Sequence, residues 1–67
     1  MSVLKIIEIM GESPDGWEAA ANAAVEEAAR TVKNIRSVWV QDQSATEEDG
    51  KVASYRVTCK ITFEVMS

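Results

Sequence analysis

Hydrophobic and polar positions change their period along this chain, and each period predicts an element. Residues 3–10, VLKIIEIM, gather three isoleucines and a valine in a short run closed by Gly11, the composition of a mostly buried strand. From Trp17 onward the apolar positions fall at 17, 20, 21, 24, 25, 28, 32 and 35, which is one stripe along an amphipathic helix of roughly five turns. Residues 51–65 then alternate almost without error. Ala53, Tyr55, Val57, Cys59, Ile61, Phe63 and Val65 share one parity, and Ser54, Arg56, Thr58, Lys60, Thr62 and Glu64 the other, as expected of a strand with one core face and one polar face.

The segments between these runs carry the boundary signals. In GESPDGWEAA, Ser13 can cap the helix with Pro14 in its first position, or Asp15 and Glu18 can form a capping box; either places the helix start between residues 13 and 16. The far side of the helix carries Glu18, Asn22, Glu26, Arg30 and Lys33, a solvated face with Glu26 four residues ahead of Arg30. Asn34 marks the helix end. A further strand is predicted near residues 36–46, and Asp49-Gly50 supplies the tight turn joining it to the last strand as an antiparallel hairpin.

The predicted fold class is therefore α+β, in the order β-α-β-β: a three-stranded antiparallel sheet packed on one amphipathic helix. Residues 1–67 are read as a single domain. A last strand of 15 residues is about 50 Å long, longer than this helix covers, so the hairpin is read as an element that joins several copies.

Composition narrows the function. With 67 residues the chain sits where a lone core is marginal, and a single cysteine, Cys59, offers no internal disulfide. That favours a reducing, cytoplasmic location. Seven basic against eleven acidic residues, net −4, argue against nucleic acid, which needs a basic face. The N-terminal apolar run is broken by Lys5 and Glu8, too short and too charged to span a membrane or to act as a signal peptide. With no histidine there is no base for Ser-His or Cys-His catalysis. Gly11, Gly16 and Gly50 match no phosphate loop, so an enzyme is not expected.

Gly11, then Ser13-Pro14-Asp15-Gly16 and Ala20-Ala21, then Tyr55, Val57, Thr58, Lys60 and Phe63 together resemble the dodecin family over nearly the whole chain. That resemblance implies a hollow homododecamer built from trimers, with paired flavins near the trimer axes. Each ring would be sandwiched between a tryptophan and its partner flavin, and a glutamine would bond the ring edge. Here Ser37 stands at the tryptophan position and Arg56 at the glutamine. The subgroup that lacks these two side chains is the nearer likeness, through the WEAA helix start and Asn34-Ile35-Arg36, and calcium binding has been proposed for it.

The candidate ligand-binding residues are Ser37, Trp39 and Arg56, and the small flat ligand expected is FMN or riboflavin. Trp39 shares a strand face with Ser37 and can take over part of the stacking, or it can fill a subunit interface, which is the reading placed first. Arg56 can stack or pair with a phosphate, which favours FMN. The charge of −4 opposes a free anion unless Arg56, Lys60 and Arg36 are focused at the site. The alternative is a flavin-free shell with a calcium-binding or structural role, its oxygens drawn from Glu47, Glu48 and Asp49 or pooled around an axis. Trp17 is read as core or interface, Tyr55 and Phe63 as core, and Cys59 as a small apolar core residue.

Overall fold

The computed structural model describes residues 1–66; Ser67, the last residue of the predicted domain, lies outside them. Strand β1 (Val3–Ser13) leads into helix α1 (Trp17–Ala29), followed by β2 (Ile35–Glu48) and β3 (Lys51–Met66). The long hairpin strand β3 lies in the centre, in the order β1-β3-β2, and both its neighbours run antiparallel to it. The result is an elongated body of 51 × 20 × 13 Å, its long axis set by β3.

One face of the sheet is covered by the helix, and only over its middle. Ala20, Ala24 and Ala28 of α1 meet Val57, Cys59 and Ile61 of β3, and these six form the buried core. Ile7, Ile9, Ala21, Val25 and Ile35 pack around them. Alanine at every buried helix position lets the helix axis come close to the strands. Gly11 makes the approach closer still: a Cβ there would run into the Ala20 carbonyl oxygen and lie 3.1 Å from the Ala24 Cβ. Burial pushes the Cys59 thiol pKa upward, in keeping with a small apolar core residue.

Several boundaries differ from the sequence expectation. Strand β1 does not close at Gly11 but runs on to Ser13, paired with Tyr55. Ser13 therefore does not cap the helix; its Oγ accepts a 3.0 Å bond from the Asp15 amide, and Gly16, at φ 128°, stands at the helix start. The helix ends at Ala29, well short of Asn34. The amides of Arg30 and Thr31 bond carbonyls three residues back, on Glu27 and Ala28, which tightens the last turn, and the Val32 amide makes a last bond to the Ala28 carbonyl at 2.9 Å. Arg30 consequently pairs with Glu27 at 3.3 Å rather than with Glu26, and Asn34 takes a left-handed conformation at φ 63° as the chain turns into β2.

The hairpin turn is as expected. Asp49 and Gly50 both have positive φ, 53° and 79°, between the paired Glu48 and Lys51, and the Glu47 carboxylate accepts the Gly50 amide. Tyr55 and Phe63, read as core, are half-buried, and Val65 is exposed. The alternation of β3 is regular to its ends, but the helix stops before they do.

Candidate functional site

The uncovered face of the sheet holds all three sequence-predicted site residues. Strand register arranges it in rows: Ile6, Thr62 and Ser37; Glu8, Lys60 and Trp39; Met10, Thr58 and Asp42; Glu12, Arg56 and Ser44. A bulge between Val40 and Asp42 removes Gln41 from the pairing. Because an extra residue reverses side-chain parity, Asp42 continues the row that Ser37 and Trp39 begin, where strict alternation would have put Gln41.

Trp39 is 66% exposed, and the Lys60 ammonium sits 5.7 Å from its ring centroid, within range of a cation–π contact. Ser37 stands beside Thr62, one row away. Arg56 lies on the same face but four residues along β3 from the partner of Trp39, about 13 Å away along the strand. Within one subunit the structure brings Ser37 and Trp39 together and leaves Arg56 separate.

Arg56 has a partner of its own, which the sequence reading missed. Its Nε donates to Glu12 Oε1 at 2.9 Å, Ser54 Oγ donates to Glu12 Oε2 at 2.9 Å, and Thr46 Oγ1 lies 2.7 Å from Ser54 Oγ. One polar network thus crosses all three strands. The hydrogen bond from Arg56, then that from Ser54, holds the Glu12 carboxyl below the usual carboxylate range. Glu64 is lowered in the same way by Arg36 and by Ser2. Finding the Glu12 pair from sequence would have required the register of β1 on β3, which places residues 44 apart side by side.

Trp17 closes the other end of the helix onto the hairpin. Its ring meets Tyr55 edge to face, with centroids 4.9 Å apart and planes at 76°, and its Nε1 donates to the Ser44 carbonyl at 3.2 Å. Trp17 is nevertheless 42% exposed and outside the buried core, because it stands in the first turn of the helix, beside Tyr55 and the hairpin backbone.

A calcium ion takes six to eight oxygens. Among the described residues, no three acidic or other metal-ligating side chains come together within one chain. At the hairpin, Glu47 is engaged by the Gly50 amide. The Trp39 ring is the largest exposed aromatic surface on this face, and Ser37 and Arg56 do not reproduce a tryptophan and glutamine pair.

A single helix laid across one face of a three-stranded antiparallel sheet in the order β1-β3-β2, with the opposite face open, defines the fold class. The chain belongs to the dodecin family, whose model matches residues 3–66. Its relative the calcium dodecin of Mycobacterium tuberculosis is 41% identical over 66 residues, 97% of this chain and 92% of that protein. The crystal structure of that calcium-chelating protein superposes with a TM-score of 0.84 at 38% identity, over 96% of this chain and 91% of the other. The dodecin of Streptomyces coelicolor matches at 0.93 and 30% identity, over 98% and 94%. An R45A variant of Thermus thermophilus dodecin matches at 0.94 and 28%, over the full length of both chains. Sheet, helix and strand order are those of the dodecins.

Proposed function

We propose that the chain is the subunit of a homododecameric shell, assembled from trimers, that binds and sequesters a small flat ligand without catalysis. The ligand lies on the open sheet face, and a flavin, FMN or riboflavin, is the class by family. The observation that carries this reading is the exposed Trp39 ring, capped by Lys60 on the same face as Ser37 and Arg56. Trp39 would stack on the ring, Ser37 would offer a hydroxyl at its edge, and Arg56 would reach the ligand's polar end. Because Arg56 is two rows from Trp39 in one subunit, a second copy would complete the site. A shell also accounts for the apolar side chains the single chain leaves exposed: Leu4, Ile6 and Met10 along β1, and Val52 and Val65 at opposite ends of β3. The location is read as cytoplasmic; no helix among the described residues is long and apolar enough to cross a membrane.

A calcium-binding shell is the second reading, favoured by the 41% identity to a calcium dodecin and by the net charge of −4, which would draw cations inward. Its carboxylates would have to come from several subunits. Titration of the purified assembly into riboflavin and FMN, followed by flavin fluorescence with mass from light scattering, separates the two. Saturable quenching by an intact dodecamer supports the flat ligand. Absent quenching, with melting that rises on adding calcium, supports the cation.

A further inference from the structure

We infer that Glu12 is a specificity-determining residue of the open face, closing Arg56 to anions so that the site takes an uncharged flat ring in preference to its phosphorylated form. The inference rests on the reading that the ligand lies on this face. An unpaired guanidinium is the side chain best shaped for a phosphate. Arg56 is not unpaired: Glu12 holds its Nε at 2.9 Å and is itself fixed by Ser54, which lies against Thr46. A phosphate arriving at Arg56 must displace a carboxylate whose negative charge then remains beside it.

The other cations of this face are also occupied. Lys60 lies over Trp39, and Arg36 pairs with Glu64. The adjacent row adds Asp42, and the row beyond it sets Glu8 against Lys60, so the charge nearest Arg56 is acidic. The sequence alone favours FMN on the strength of Arg56; the Glu12 pair reverses that preference toward riboflavin.

The test compares the assembled wild type with Glu12→Gln, which keeps the size and the hydrogen bond from Ser54 but removes the charge. FMN and riboflavin, which differ by the phosphate alone, are titrated against both by fluorescence. Exposed ion pairs of this kind are weak, so the expected gain for FMN in Glu12→Gln is about fivefold, with riboflavin unchanged. An unchanged ratio of FMN to riboflavin affinity overturns the inference. If neither protein quenches either flavin, the ligand reading has failed, and Arg56 is read directly. Phenylglyoxal modification is followed at Arg56 by peptide mass spectrometry, with Arg30 as the internal reference. Faster labelling of Arg56 in Glu12→Gln, with Arg30 unchanged, upholds the pairing as the closing contact; equal labelling overturns it.

Discussion

The two faces of the same central strand meet different fates. On one, Val57, Cys59 and Ile61 are fully buried under three alanines of the helix. On the other, Thr58, Lys60 and Thr62 are half-buried between rows that include Ile6 and Met10, 58% and 56% exposed, and Trp39. The covered face is complete within one chain and stores its stability there. The open face combines apolar side chains at its β1 edge with a polar network across it. Subunit stability and the proposed binding role thus fall on opposite sides of one sheet, and each side should be changeable with little effect on the other.

Substitution on the covered face should have the largest effect. Ile61→Ala removes a side chain with no exposure from a core of six residues, and a loss of about 2–5 kcal/mol is expected. Ile6→Ala, one row across on the open face, should change subunit stability by less than about 1 kcal/mol. Chemical denaturation of the two variants checks the contrast, which fails if they lose equal stability. Gly11→Ala comes next. Its Cβ meets backbone at Ala20 rather than a movable side chain, so the helix must lift off the strand at about 1–3 kcal/mol. Thermal unfolding measures it, and an unchanged midpoint would mean that the helix does not sit so close.

How much of this was legible beforehand follows the same division. The covered face announced itself through the parity of Ala53 to Val65 and through the helix stripe, because burial imposes a period on the sequence. Asp49-Gly50 fixed the hairpin because few dipeptides accept two positive φ angles in succession. Strand ends and the helix end were misread, since Ser13 has a cap's chemistry but is held in a strand by Tyr55 across the pair, and Val32, whose amide still bonds the Ala28 carbonyl, continues the stripe past the last helical residue, Ala29. The site was legible only in part. Trp39 and Arg56 could be assigned to one face by parity, but their spacing and the Glu12 partner depend on register between distant strands. The bulge at Gln41 is invisible to a rule that counts in twos.

A smaller effect tests the polar network. Glu12 and Glu64 have folded pKa values below the usual carboxylate range. Each contribution to stability is therefore complete above that range and is lost as the pH falls through the lowered folded value. Wild type should melt slightly above Glu12→Gln at neutral pH, and the difference should shrink below the ordinary carboxylate pKa and vanish below the lowered folded value. Melting curves from neutral to strongly acidic pH decide it. A difference that grows on acidification would show that the network is not held by the ionised carboxylate.

The smallest effect on the fold is expected from Trp39→Ala, because the ring is 66% exposed in the subunit, with the Lys60 ammonium 5.7 Å from its centroid. Removing it should shift subunit stability by no more than about 0.5 kcal/mol. The two readings of Trp39 differ in what else changes. As the stacking surface for a flat ligand, it contributes roughly 1–3 kcal/mol per contact, by analogy with bases stacked on aromatic side chains, so the variant should remain an assembled shell and lose about one to two decades of flavin affinity. As an interface residue, it would instead anchor one subunit on the next, and light scattering would find smaller species whether or not ligand is present. Exposure of the ring in a single chain, with Lys60 over it, is what either role requires, so the variant has to separate them. An intact dodecamer with weakened flavin quenching therefore assigns the open face to the ligand, and dissociation assigns it to the partner subunit.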